Sequence, residues 1–370
     1  GFMPAAEIRE QLVTLACRAI GSLTGRLASR EDTIPPPTPR IVLVRRCCLG
    51  DVLETTPLLS ALRRRYPDAR IDYATGSYSR PALTGNPDVS AIVSAEVRQL
   101  RAGRYDVALT LERSPTAGML AWRAGIPIRV GPNSQSRGFA HNVRVACPPG
   151  RSEAELYLEC ARALDVPIEG ARAKFCPGPG ERHKALELLE ASGITEPPVG
   201  LAPGGAVNPG MTLLAKRWPA GRYAELADRL ADETGAPIIL VGAASDGDVC
   251  AEVADIARCR AVSLAGKTSF GELGAVIARC RLLAGNDSAP LHLSAAVGTP
   301  FVGIFGPSDP VRHRPFGEGE VVAAPLPPST YRNGFAAIDC IDMVAVEEVL
   351  AACRRQLATW GQGLGPPPFP

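Results

Sequence analysis

The chain has 370 residues, 46% of them apolar and 21% charged, with a net charge of +2. That length exceeds one ordinary core and fits two domains; the composition is that of a globular protein, and no apolar run reaches the roughly 18 residues of a membrane span. The near-neutral total hides an uneven distribution, because residues 40–150 contain 16 arginines, no lysine and 8 acids (16 − 8 = +8).

Two readings of that basic first half stand side by side: an anionic ligand, or arginine as a routine solvated charge. Eleven cysteines, an odd number, are scattered without a C-x-x-C pair or a His/Cys cluster at ligand spacing. They are expected to be reduced thiols in a cytosolic protein, with no metal site. Gly1 and Phe2 read as residues added ahead of Met3, and Glu7 and Glu10 give the N-terminus the wrong charge for a secretory signal.

In chain order, residues 6–30 place Leu12, Ala16, Ala19, Ile20, Leu23 and Leu27 at helical spacing. The apolar side of this amphipathic helix either packs on its own domain or lies on an anionic membrane surface. "IPPPTP" follows as a stiff extended linker. From Arg40, short apolar runs alternate with helical ones: "IVLV", a helix over 51–65, "IDYAT", a helix near 79, "AIVS", "DVALTL", a helix over 115–124, "IPIRVG" and "VRVAC". Helices over 152–164 and 181–192 come next.

The alternation then restarts with "VGLAPGG", helix 220–234, "PIILVG", helix 246–257, "AVSLAG", helix 269–279, "LLAGND", helix 289–296 and "FVGIFG". Short apolar strands separated by helices predict parallel sheets covered on both faces, and therefore an α/β protein with two Rossmann-like halves. The expected divisions are 1–39, 40–192, 193–345 and a C-terminal helix and tail over 346–370, the helix (344–358) crossing back onto the first half.

Three loops that directly follow predicted strands carry the chemistry. "APGGAVNPGMTLLAKRWP" offers Gly204 and Gly205 for close backbone approach, then Lys216 and Arg217. "VGAASDGD" turns at Gly242 and presents Ser245 and Asp246, where a carboxylate could accept from a ribose or base. "GNDSAPLHLSAAVGTP" puts Asn286, Asp287, Ser288 and Ala289 at a helix start, with His292 on the first turn. Free N–H groups and the positive dipole end there suit an anion. Each loop alone could be an ordinary helix cap; three at one sheet edge suit a diphosphate. The chain has no G-x-G-x-x-G after its first strand and no Walker lysine, which argues against dehydrogenase and P-loop readings.

These blocks, with "VRRCCLGDVLETTPLLSALRRRYPDARID", "LAGKTSFGELGAVIARC" and "GNDSAPLHLSAAVGTPFVGIFGPSDP", resemble the successive signatures of glycosyltransferase family 9, the bacterial ADP-heptose:lipopolysaccharide heptosyltransferases. The likeness covers about residues 40–355, and "AKRWP" is most similar to the heptosyltransferase II branch. The resemblance implies a GT-B fold, two Rossmann-like domains facing across a cleft, and inverting, metal-independent transfer with an ADP-sugar as donor substrate and no cofactor. It implies Asp51 of the "GD" pair as general base, Lys216 at the diphosphate, Asp287, Ser288 and His292 at phosphates and sugar, and Gly242, Ser245 and Asp246 at the nucleoside.

Arg45, Arg46, Arg80, Arg113 and Arg137 are candidate contacts for an anionic or amphiphilic glycan acceptor of lipopolysaccharide-core type. Peripheral membrane contact is an open expectation, nucleic acid is not an expected partner, and the location implied is cytoplasmic, at the inner membrane face. Glu54 stands where the family usually has an aliphatic residue, Ala289 replaces a usual glycine, and "GRSEAELYL" lacks a frequent histidine. These departures keep open a polysaccharide or secondary-metabolite acceptor. A sugar-nucleotide epimerase or hydrolase, or a non-catalytic sugar-nucleotide binder, are the readings from other classes.

Overall fold

The computed structural model describes residues 5–24, 33–208 and 211–360. The expected N-terminal helix forms over Ala5–Thr24 (α1); its expected continuation over 25–30 lies outside the described residues, as do Pro209, Gly210 and the tail from 361. On α1, Cys17 is buried while Leu12, Leu15 and Ile20 are exposed.

Next in order come β1 (Arg40–Val44), α2 (Leu49–Leu53), α3 (Thr56–Arg65), β2 (Arg70–Ala74), β3 (Ala91–Val93), α4 (Val97–Ala102), β4 (Val107–Thr110), α5 (Pro115–Arg123), β5 (Ile128–Pro132), β6 (Val143–Val145) and α6 (Glu153–Arg162). The six strands pair in parallel in the order β3-β2-β1-β4-β5-β6. The pattern then repeats. It runs through α7 (Pro179–Ala191), β7 (Val199–Ala202), a small hairpin of β8 (Val207–Asn208) and β9 (Met211–Thr212), α8 (Ala220–Thr234), β10 (Ile238–Leu240), α9 (Gly247–Ile256) and β11 (Ala261–Ser263). It ends with α10 (Phe270–Ile277), β12 (Leu282–Asn286), α11 (Ala289–Val297), β13 (Phe301–Phe305), β14 (Gly319–Ala323) and α12 (Val346–Trp360). The second sheet, again all parallel, has the order β11-β10-β7-β12-β13-β14.

Both sheets thus carry the α/β architecture expected. Each reverses its winding beside its first strand, between β1 and β4 and between β7 and β12, and a crevice at the carboxyl ends of strands opens at such a reversal. The central strands are apolar and shielded on both faces: Ile41 to Val44, Val107 to Leu109 and Leu282 to Ala284 are all fully buried.

Five elements differ from expectation. The helix expected over 51–65 is two helices, because Pro57 has no N–H for the Leu53 carbonyl and its ring crowds that carbonyl. The helix near 79 is a single 3-10 turn at Arg80–Leu83. α4 and β14 were not anticipated; β14 is a half-buried strand whose "GEVVA" has little apolar run to announce it. The last helix, expected to cross back onto the first half, is packed within the second unit's own core: Val349, Leu350, Ala352 and Cys353 of α12 are buried with Leu201, Leu226, Leu240 and Val302.

Two compact units emerge from the chain's contacts. The first comprises the described residues up to Cys47, Thr55–Arg80 and Pro87–Ala171; the second comprises Cys48–Glu54, Pro81–Asn86 and the chain from Arg172. The short helix α2 therefore packs with the second unit, although it lies between the first two strands of the first sheet in sequence.

The first unit encloses His141, which is 2% exposed and shares a hydrogen bond between its Nε2 and the Thr110 hydroxyl. Gly131 and Gly118 make room for the ring, since a Cβ at either would come within 2.5 or 2.8 Å of it. Burial, reinforced by the charges of Arg129 and Arg144, pushes this imidazole from 6.5 down to about 4. A group held neutral in this way contributes stability that is complete above its unfolded value and is lost as pH falls toward the folded one. The depression corresponds to about 3 kcal/mol. Urea melts of the wild type should show this loss between pH 6.5 and 4, and His141→Gln should lack that part of the slope.

Candidate functional site

The loops at the carboxyl ends of β7, β10 and β12 are bound to one another by side chains buried among them. Asn286, the last residue of β12, is fully buried and uses its amide on both sides. Its Oδ1 accepts from the Trp218 N–H (3.0 Å) and the Tyr223 hydroxyl (2.9 Å), while its Nδ2 donates to the carbonyls of Pro203 (2.9 Å) and Gly204 (3.1 Å). Asp246 plays a similar part from the β10 loop: Oδ1 accepts from the Gly205 N–H (2.9 Å) and Arg217 Nη2 (3.0 Å), and Oδ2 from the Ala243 N–H (2.9 Å). Arg217 Nε in turn donates to the Gly205 carbonyl at 3.0 Å.

The glycine pair is required by this packing. A Cβ on Gly204 would lie 2.2 Å from the Asp246 carboxyl carbon, and one on Gly205, whose φ is +87°, would lie 2.4 Å from Ser288 Cβ. Gly242 likewise admits Asp246. Ser245 is exposed beside it. Asn286 and Asp246 thus have their polar atoms engaged by protein partners, and they shape the crevice.

Four groups from separate elements meet at the start of α11. Lys216, on a 3-10 turn at Leu214–Lys216, places Nζ 2.7 Å from Asp287 Oδ2, and both residues are buried. Asp287 Oδ1 lies 3.7 Å from His292 Nε2, and His292 Nδ1 lies 3.6 Å from Oε1 of Glu54, which is 2% exposed. Burial opposes ionisation of Asp287, yet Lys216, with His292 and His313, holds its carboxyl well below the usual range. The α11 N-terminus carries no side-chain cap, because the Ser288 hydroxyl turns back to the Asn286 carbonyl (3.2 Å). Ser288, Ala289 and Pro290 are half-buried, so the positive end of the helix is not sealed.

Asp51 is brought to this cluster by α2. The edge of His292 occupies the space where residue 50 would carry a side chain: a Cβ on Gly50 would be 2.8 Å from His292 Cδ2. Glycine in the "GD" pair is thereby explained, since only it lets α2 lie against the imidazole. Asp51 is half-buried. Its charge, with that of Asp287, partly offsets the burial that lowers His313.

His313 and Phe335 are members of the cluster that sequence reading missed. The Phe335 ring centroid is 5.0 Å from Lys216 Nζ and 5.1 Å from the His313 ring. The only sequence signal for them was their position after the "FGPSDP" block.

The first unit's arginines have varied partners. Arg46 forms a two-pronged pair with Glu112 (2.6 Å between Nη2 and Oε2) and also donates to the Thr116 hydroxyl. Arg113 pairs with buried Glu153 at 2.9 Å, and Arg80 donates to the Ile92 carbonyl at 2.6 Å. Arg45 and Arg137 are half-buried on the turns after β1 and β5. Arg63, Arg64 and Arg144 donate to backbone carbonyls. Much of the positive charge thus secures loops within the unit. Among the described residues no group of three or more His, Cys, Asp or Glu could hold a metal ion, and no helix is long and apolar enough to cross a membrane.

Comparison with known proteins bears on the fold and the family. The model of glycosyltransferase family 9 (heptosyltransferase) matches residues 93–328. The lipopolysaccharide heptosyltransferase 2 of Escherichia coli is 31% identical over 300 residues, covering 73% of this chain and 84% of the relative. That of Salmonella typhimurium is 32% identical over 303 residues, with the same shares. Among solved structures, the E. coli ADP-heptose LPS heptosyltransferase II superposes with a TM-score of 0.70 at 26% identity, covering 87% of this chain and 99% of that one. A family 9 glycosyltransferase from Veillonella parvula, at 24% identity, gives 0.71 and shares the fold over 87% and 97%. With two parallel six-stranded sheets of the GT-B type and these matches across most of its length, the chain belongs to glycosyltransferase family 9, the heptosyltransferases.

Proposed function

We propose that the protein transfers a heptose from ADP-heptose, with inversion and without a metal, to a hydroxyl of a lipopolysaccharide-core-type or related glycan, at the cytoplasmic face of the membrane. The observation that carries the reading is that Asp51 sits in the same compact unit as the Lys216, Asp287 and His292 cluster, on a helix packed against His292. Base and leaving-group stabilisers therefore belong to one body.

In this reading the Asp51 carboxylate takes the proton of the acceptor hydroxyl as its oxygen attacks the anomeric carbon. The bond from that carbon to the diphosphate oxygen breaks on the opposite face, and ADP leaves with the electron pair. Lys216 and the open N–H groups at Ser288 and Ala289 take up the developing negative charge. Gly204, Gly205 and Gly242 serve the nucleotide site by admitting Asp246 and Ser288 between the loops, and Ser245, exposed beside Asp246, is the candidate contact on the nucleoside side. Arg217, Asn286 and Asp246 act by holding those loops.

The first unit has the acceptor role, with Arg45, Arg80 and Arg137 as candidate contacts; Arg46 and Arg113 are tied to Glu112 and Glu153. Membrane contact would fall to α1, whose Leu12, Leu15 and Ile20 are exposed.

Thermal melts with nucleotides test the donor half of this proposal. ADP at 100 times its Kd should stabilise the protein by about 2.7 kcal/mol, and UDP or GDP at the same concentration by much less. Equal protection by all three would refute an adenine-specific site. Release of ADP from ADP-heptose should require an acceptor; release from donor alone would favour a hydrolase.

A further inference from the structure

Glu54 is a buried carboxylate that the proposed transfer does not use. It closes α2 as its last turn, with φ −64° and ψ −17°, and its N–H still donates to the Gly50 carbonyl at 3.0 Å. It stands three residues after Asp51, so the two carboxylates share one side of α2. Its Oε1 lies 3.6 Å from His292 Nδ1, while Asp287 Oδ1 lies 3.7 Å from His292 Nε2.

An ionised carboxylate can only accept. Each ring nitrogen of His292 faces one of these two carboxylates, so the ring is bracketed on both edges. The other charged groups of the cluster are Asp51 on α2, Lys216 on the 3-10 turn, and Arg312 and His313 after β13. Lys216 sits on the far oxygen of Asp287, at 2.7 Å, and does not replace the contact with Nε2.

We infer that Glu54 is a positioning residue: with Asp287 on the other edge it brackets the His292 ring and thereby latches the Asp51 turn to the start of α11. For its effect on turnover the inference rests on the transfer reading above; the latch itself does not depend on it. Gly50 gives α2 its close approach to the ring, and Glu54 supplies the charge that makes the approach specific. The consequence for transfer is that the base keeps its place relative to Lys216 and the α11 N-terminus as donor and product exchange.

The chain has four histidines, so 15N-histidine spectra of the full protein are tractable, and His292→Gln assigns the signals. Glu54→Gln should shift the His292 ring-nitrogen signals, Nδ1 most, because that nitrogen faces Glu54. The α2 amides of Val52 and Leu53 should exchange faster in the variant.

Where turnover is measured, Glu54→Gln and the apolar, similarly sized Glu54→Leu should both lose about 10- to 100-fold in kcat, with donor KM changed less than about threefold. An unchanged His292 spectrum in Glu54→Gln, or wild-type kcat in Glu54→Leu, would overturn the assignment in favour of plain packing. A wild type that transfers no heptose while the spectra change as expected would count against the proposed function and leave the Glu54–His292 latch standing.

Discussion

Asp51→Asn should lower kcat about 10³-fold while leaving ADP affinity within a few-fold of the wild type. The amide keeps the size of the side chain and its place on α2, so Gly50 still lies against His292. What it loses is the ability to accept the acceptor's proton. Rapid-quench turnover with ADP-heptose, together with calorimetric titration of ADP, separates the two effects. Equal loss of binding and turnover would mean that Asp51 serves only to hold the helix, and the base would have to be sought elsewhere.

Lys216→Met should have a double consequence. Removal of the ammonium takes a cation away from the departing diphosphate, at a cost of about 10²- to 10³-fold in kcat. It also leaves Asp287, buried with 7% of its side chain exposed, without its 2.7 Å partner, and breaking a buried pair in this way destabilises by about 3–5 kcal/mol.

The pH dependence follows from the same pair. In the wild type the Asp287 carboxyl is held well below its ordinary value against the opposing effect of burial. Its contribution to stability is therefore present above the unfolded carboxylate range and is lost only as pH falls through the low folded value. Without Lys216, burial acts with less opposition, and the acid limb of the stability curve should move to higher pH. The double variant Lys216→Met/Asp287→Asn should recover much of the stability, because no lone charge stays buried, and none of the turnover. Denaturant melts beside kcat for the three proteins distinguish a catalytic lysine from one that only neutralises a neighbour.

The arrangement also shows how one sheet edge is made precise enough for transfer. Asn286 and Asp246 reach across from β12 and from the β10 loop to the backbone around Gly204 and Gly205. Their bonds fix the loops in one arrangement around the crevice, and the glycines make room for Asp246 and Ser288. Both side chains also brace the loops, as their protein hydrogen bonds show. The same holds for Arg46 and Arg113, whose fork geometry suits the buried carboxylates of Glu112 and Glu153.

The sequence by itself determined the repeated strand and helix alternation, the parallel sheets, and the three loops with Lys216, Asp287 and His292. Those properties follow from local apolar periodicity and from turn residues, which neighbours in the chain decide. Only the tertiary structure decided that α2 belongs with the second unit, that the helix breaks ahead of Pro57, and that His313, Phe335 and Glu54 join the cluster. The break is a local effect of Pro57 that the apolar spacing of 51–65 conceals, whereas the other features depend on contacts between residues far apart in the chain, such as Glu54 with His292 and Lys216 with Phe335, for which spacing carries no signal. Gly50 shows the boundary between the two. Its presence in a "GD" pair could be read at once, but the reason for it, an imidazole occupying the space of the missing Cβ, exists only after α11 has folded against it.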